Sequence, residues 1–325
     1  MAYRLRPSKP FTTQFRGVAE NQLRKAIGYL EDRPEGPHEA VHDARKRFKR
    51  VRALYRLVQP DAPDFRAREN ARIREIAGTL SAVRDATALV ETVHYLLDFA
   101  SSPEEEEALR TAMDILAGRR DRIAAEEHDL PAKMQTAADA CRTALSAIAA
   151  LDLSDAPHKS AKRLGKAWRK QLGKAHRALR ACDEHGSAES YHELRKSGQT
   201  YWMHLSLLRD VWPSAMRAKQ AECKTLVDLL GHEHDLSVLT ELVNEEPDLF
   251  GDGEALARLL GSIISRQQIL RGEAIDRAHD VFAEDPDTEG ELIEMLWEKA
   301  AGSDARSHKH RRGCDKAEKE TALHG

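Results

Sequence analysis

Two short stretches 150 residues apart constrain this chain more than any other feature: His42-Asp-Ala-Arg45-Lys46 and His192-Glu-Leu-Arg195-Lys196. At the same offset Leu80, Asp85 and Leu89 match Leu230, Asp235 and Leu239. Upstream, Leu23, Lys25, Ala26 and Leu30 match Leu172, Lys174, Ala175 and Leu179 at an offset of 149. Downstream, Glu107-Ala-Leu109, Leu116 and Arg119 match Glu254-Ala-Leu256, Ile263 and Arg266 at an offset of 147. Offsets that drift by a few residues, and only across breaks, are what loop changes in a duplicated unit produce.

The repeated unit reads as helical. Gly and Pro are sparse, 18 and 12 of 325 residues, and they fall between long segments rich in Ala, Leu, Arg and Glu. The pattern predicts helices over 11–32, over a basic segment closed by Pro60, over a stretch from 65 that bends at Gly78 or restarts through 80–99, over 104–128 and over 132–150. After a polar break at Asp152 to Pro157 the pattern restarts, and Pro213 closes the second copy of the basic helix. The expectation is an all-α chain of two similar antiparallel four-helix bundles, about 10–150 and about 158–302. Residues 303–325 read as a disordered tail with a basic patch, Arg306 to Arg312.

At 3.6 residues per turn, His42, Arg45, Lys46, Lys49, Arg52 and Arg56 fall within an arc of roughly 120°, opposite Ala44, Phe48, Val51, Tyr55 and Val58. Like charges three and four residues apart repel by roughly 0.2–0.5 kcal/mol per pair. A helix that keeps several such pairs with no interleaved acid is most simply explained by a polyanion that neutralises it. A solvated basic face is the alternative. A second one-sided helix tips the balance: Lys159, Lys162, Arg163, Lys166, Arg169, Lys170, Lys174 and Arg177 gather opposite Ala161, Leu164, Trp168, Ala175 and Leu179. Net charge is −3, so the signal lies in segregation of charge and not in its sum.

The copies are unequal. Gln199, Trp202 and Ser206 stand where Lys49, Arg52 and Arg56 stand in the first half. Arg74 is matched by Lys224, Arg84 by His234 and Arg119 by Arg266, all basic for basic. Asp85 and Asp235, beside two of these, would orient or cap a neighbour. His42 and His192 are read as opening their helices, where an imidazole would donate to a phosphate oxygen and gain charge near neutral pH. The alternative is a structural His bonded to a carbonyl.

His42-Asp43 and His234-Asp235 raise the dyad of metal-dependent phosphohydrolases, which needs several His and Asp ligands. Arg84-Asp85 fills the matching place in the first half, and Arg is no ligand. His232 and His234 alternate, which on a helix sets them roughly 200° apart. No GxxxxGK[ST], GxSxG or HExxH segment is present. Cys141, Cys182, Cys223 and Cys314 form no CxxC pair and read as reduced thiols of a cytoplasmic protein. The N-terminus lacks the apolar stretch of a signal peptide, and no apolar run approaches the ~18 residues of a membrane span. No metal, cofactor or catalytic residue is assigned.

The paired HxxRK segments, Arg84-Asp85, Leu230-Gly231 with His234-Asp235, and the opening Tyr3-Arg-Leu-Arg-Pro7 with Phe15-Arg16 resemble the CHAD domain, the conserved histidine α-helical domain, over about residues 2–302. The resemblance implies two four-helix bundles related by a pseudo-twofold, with a basic central groove or pore that binds inorganic polyphosphate, and recruitment to polyphosphate granules. Many members carry a triphosphatase-like domain at the N-terminus. This sequence opens in the helical repeat with no strand-rich ExExK segment, so the expectation is a stand-alone, non-catalytic binding module. The expected ligand groups are His42, Arg45, Lys46, Lys49, Arg52, Arg56, Arg74, Arg84, Arg119, Lys166, Arg169, Lys170, His192, Arg195, Lys196, Lys224, His234 and Arg266. Arg45, Arg52, Arg84 and Arg195 would bridge two oxygens; Lys46, Lys49, Lys166 and Lys196 would act as point charges. Sulfate or phosphate ions would occupy the same places. Aromatics are 5% of the chain, and Phe48, Tyr55 and Trp168 lie on apolar faces, which argues against nucleic acid as the partner.

Overall fold

The computed structural model describes residues 3–80, 82–251 and 253–302. They are mostly helical, with no strand among them. The helices are α1 (Phe11–Asp32), α2 (Pro37–Leu57), α3 (Pro63–Thr79), α4 (Ala82–Leu97), α5 (Pro103–Glu126) and α6 (Leu130–Ala150), then α7 (Pro157–His185), α8 (Ala188–Leu207), α9 (Pro213–Glu245) and α10 (Gly253–Val281). A 3₁₀ turn, Pro247–Phe250, precedes α10, and α11 follows over residues 286–302. The tail expected over 303–325 lies outside the described residues.

Prolines punctuate differently from the sequence expectation. The basic helices end at Leu57 and Leu207, short of Pro60 and Pro213. Pro213 opens α9, as Pro63 opens α3, and Pro37, Pro103 and Pro157 likewise sit in the first turns of α2, α5 and α7. The missing N–H is one that a first turn leaves unbonded anyway, and proline's fixed φ suits that position. His42 and His192 therefore lie in the second turns of α2 and α8 and do not open them.

The segment across Gly78 restarts instead of bending. α3 stops at Thr79, Leu80 leaves the helix at φ −104° and ψ 20°, and α4 begins at Ala82. The matching stretch of the second half, α9, runs unbroken for 33 residues through Gly231.

The buried apolar side chains form two cores. The larger holds Phe15, Phe48, Tyr55, Met134, Trp168, Tyr201 and Trp297, drawn from α1, α2, α6, α7, α8 and α11. The smaller holds Val93, Leu109, Leu116, Leu239 and Ile263, drawn from α4, α5, α9 and α10. Neither core is confined to one half of the sequence. α9 passes through both, with Cys223 and Leu230 in the larger core and Leu239 and Val243 in the smaller. α3 and α4 divide the same task between Ile73 and Val93.

The two basic helices meet. α2 packs on α8 and on α7, with its Phe48, Val51 and Tyr55 face turned into the larger core. Fully burying such side chains contributes roughly 1.5–3 kcal/mol each. His204 of α8 is 0% exposed and bonds through Nε2 to the Ala53 carbonyl of α2 at 2.9 Å. The N-terminal segment ties the same pair together: Leu5 N–H donates to the Leu207 carbonyl at 2.8 Å, and the Tyr3 hydroxyl donates to the Arg50 carbonyl at 2.8 Å. On the far side α7 and α11 approach closely. A Cβ on Gly290 would lie 3.1 Å from the Gly165 carbonyl oxygen, so a larger residue there would push the helices apart.

Burial holds the His204 imidazole down at about 4, against about 6.5 for an unfolded chain. Between those values the unfolded state binds more protons, so His204 makes stability rise with pH over that window and weaken as pH falls through it. His42, His192, His232 and His234 are also held below their ordinary value and act in the same direction. His204→Gln should therefore flatten the pH dependence of the urea midpoint between about pH 6.5 and 4 without abolishing it.

Candidate functional site

The cationic face of α2 lines a trough. Lys49, Arg52 and Arg56 recur every three or four residues, and the helices packed beside α2 supply walls. The first section, a cavity of about 130 Å³, is lined by Lys49, Arg52 and Arg56 of α2 and by Lys196, Gln199 and Met203 of α8. The next, about 330 Å³, is lined by Arg56 and Pro60 and by Lys166, Lys170, Gln171 and Lys174 of α7. Arg56 borders both sections.

Neutral acceptors hold the arginines in place. Arg52 Nε donates to Asn70 Oδ1 of α3 at 3.0 Å. Arg56 Nη1 donates to Gln171 Oε1 at 3.2 Å, and Gln171, itself buried, donates to the Ser197 carbonyl at 3.1 Å. Arg45 Nη1 donates to the Ala77 carbonyl at 2.6 Å. Bonds of this kind position a guanidinium without neutralising it.

Like charges crowd each other along the trough. Burial, then Arg52 and Arg66, pull Arg56 down to about 10 against an opposing pull from Glu193. Burial, then Arg74 and Arg66, lower Arg52. Burial, then Arg56, Arg66, Lys170 and Arg177, lower Lys174. Lys49 is exposed and lines the first section of the trough. Desolvation, then Arg195, Arg45 and Arg84, bring it to about 8 with Asp235 opposing. Arg56 Nε and Arg66 Nε are buried with no hydrogen-bond partner, and a buried donor left so costs roughly 1–3 kcal/mol.

At the α4–α9 end of the trough two helix-to-helix pairs sit at matching register. His192 and His234 face each other with Nδ1 to Nδ1 at 3.2 Å. In the first half His42 lies in the field of Arg84, the residue 150 before His234. Arg84 also pairs with Glu91 at 2.8 Å. His232 turns the other way and stacks on Tyr95 with ring centroids 4.1 Å apart. Among the described residues, no group of three or more His, Cys, Asp or Glu is placed to hold a metal ion. No helix among them is long and apolar enough to cross a membrane.

Several expected ligand groups are engaged elsewhere. Arg119 pairs with Glu246 at 2.7 Å. Arg266 donates to the Tyr95 hydroxyl at 2.7 Å and lies 3.7 Å over the Phe99 ring. Both sit on the helices of the smaller core, and Tyr95 is about 16 Å along α4 from Arg84. Arg169 faces α11 and pairs with Asp287 at 2.6 Å. Lys224 is exposed and paired with Asp228 at 2.5 Å. Arg163 is 1% exposed and bridges to Asp61 at 2.7 Å, so it belongs to the core and not to the stripe of α7. Lys46 and Lys196 flank the trough and are each tied to an acid one turn back, Asp43 at 3.0 Å and Glu193.

Gln171 and Lys174 line the trough, and Arg66 and Asn70 of α3 act on its arginines, although all four were absent from the expected ligand set. Arg66, Asn70 and Arg74 follow one another at spacings of four, one face of α3, so their alignment was legible. Gln171 and Asn70 carry no charge and leave no trace in a charge pattern.

The family model described as CHAD domain matches residues 17–244. Among solved structures, the crystal structure of the CHAD domain from the plant Ricinus communis is similar, with a TM-score of 0.59 and 22% identity over 87% of this chain and 95% of that one. None of the curated proteins matches.

The crowding around Arg66 has a measurable cost. Relief of two or three like-charge pairs should make Arg66→Gln about 0.5–1 kcal/mol more stable than the parent in the absence of anions. Urea midpoints at low and high salt check this, because the gain should shrink as salt rises.

Proposed function

The chain belongs to the CHAD domain family, and on that premise we propose that it binds inorganic polyphosphate, without catalysis, along the trough of α2. The observation that carries this is the meeting of Arg52, Arg56, Arg66 and Lys174 from three helices, with buried guanidinium donors that lack a partner. Repulsion of this density is tolerable when a polyanion offsets it.

Polyphosphate suits the site chemically. It is a flexible string of like charges with no bases to stack. Lys49, Lys166, Lys170, Lys174 and Lys196 would replace its counterions as point charges, while Arg52 and Arg56 would fork onto adjacent oxygens. Counterion release would then dominate affinity, with a slope in log salt of about 0.7 per phosphate neutralised, by analogy with single-stranded nucleic acid. Binding of this kind would recruit the protein to polyphosphate granules. We further read the two halves as a duplication, because α1 with α2, and α4 with α5, pack as α7 with α8, and α9 with α10, do.

The nucleic-acid alternative lacks a stacking platform. Phe48, Tyr55 and Trp168 are 1%, 0% and 1% exposed and belong to the larger core. Excess single-stranded RNA should displace long-chain polyphosphate poorly; equal displacement would favour RNA. Phosphate release that needs a divalent metal and stops with a chelator would overturn the non-catalytic reading.

Combining Lys49→Ala, Arg52→Ala and Arg56→Ala should weaken polyphosphate binding by about 1000-fold or more, at roughly 1.5–3 kcal/mol per charged hydrogen bond. Circular dichroism should show helicity retained. Arg119→Ala, remote from the trough, should leave affinity unchanged.

A further inference from the structure

Resting on the polyphosphate reading, we propose that the site takes up a proton together with the polyanion, at the imidazole pair His192–His234. The geometry of the pair sets how many protons it can hold. With Nδ1 facing Nδ1 at 3.2 Å, one ring's N–H donates to the other ring's lone pair. The donor ring then has a bare Nε2. A proton from solvent can bind there with the N–H···N bond intact, which takes the pair from neutral to a single positive charge. A second proton would set two N–H groups head to head. The pair therefore has room for one added charge.

Its surroundings oppose that charge while the trough is empty. Lys49 approaches on α2 and Arg195 and Lys196 on α8, with Arg45 on α2 and Arg84 on α4 behind Lys49, while Asp235 and His232 flank His234 on α9. Glu189 and Glu193 act on His192 from α8. Glu233 on α9 is bound by Arg271 of α10 at 2.8 Å. Burial, then Arg195, His192, Lys49 and Lys196, hold His234 at about 4. Burial, then Lys196 and Arg195, lower His192. Lys49 and Lys196 also line the first section of the trough. A polyanion seated there neutralises the cations that keep the imidazoles uncharged and adds a negative field of its own.

The first half shows the proton-independent form of the same device. Arg84 occupies the register of His234 and stays charged at every working pH. The first half thus holds a fixed guanidinium, answered by Glu91, where the second half acquires its charge with the ligand.

Titration calorimetry of the full chain with long-chain polyphosphate, at about pH 7 in buffers of different protonation enthalpy, tests this. Long chains keep the ligand's own end groups negligible. The expected result is uptake of up to about one proton per site, and affinity that falls as pH rises by at most about tenfold per unit. His234→Arg should bind as well as the parent or better, take up less proton and lose most of that pH dependence. His192→Asn should also lower the uptake, and serves if the arginine variant fails to fold. Lys49→Arg should leave most of the uptake in place, which separates the pair from the lysine. Binding with no buffer dependence, or undiminished uptake in both imidazole variants, overturns the proton while the polyphosphate reading stands. Absence of binding in every buffer overturns both.

Discussion

Cations that repel one another stay together in this protein because the opposite faces of their helices are fastened to a common core. α2 turns Phe48, Val51 and Tyr55 inward and Lys49, Arg52 and Arg56 outward, and the first set fixes where the second must be. α8 is held to α2 by buried apolar contacts and by the bond from His204 to the Ala53 carbonyl. The larger core does the work of bringing positive charge to positive charge. Asn70 and Gln171 then steer the guanidinium groups without cancelling them. The cations stay gathered because apolar burial outweighs a repulsion of a few tenths of a kilocalorie per pair.

Much of this was legible in the sequence because it follows from one helix taken alone. The 3.6 period places Lys49, Arg52 and Arg56 on one face whatever surrounds them. What the period cannot tell is which neighbour answers each charge. Arg119, Arg169 and Arg266 satisfy the same pattern, yet Glu246, Asp287 and the Tyr95–Phe99 pair claim them. Arg163 is the clearest instance. It belongs to the basic stripe of α7 by position, but the stripe is wide enough to wrap over the helix edge, and Asp61 draws it into the interior. Partners supplied from over a hundred residues away, or by uncharged amides, leave no periodic trace. The break between α3 and α4 was half visible at Gly78, since glycine there permits a bend but does not compel a restart.

The inequality of the halves acquires a meaning in three dimensions. Gln199, Trp202 and Ser206 thin the charge on α8, and α7 supplies Lys166, Lys170 and Lys174 to the trough alongside Arg56. The first half contributes a helix face, and the second contributes a flank plus the histidine pair. A site divided this way is built from unlike groups on its two flanks, lysines of α7 on one and the histidine pair of α8 and α9 on the other.

The way α9 and α10 thread both cores bears on what half of this chain could do alone. A polypeptide that stopped at residue 150 would leave Val93, Leu109 and Leu116 without Leu239 and Ile263 to cover them. It would have to find that cover on a second molecule. The cover that a separate half would obtain only by mass action is here supplied within one chain, at an effective concentration that dilution cannot lower.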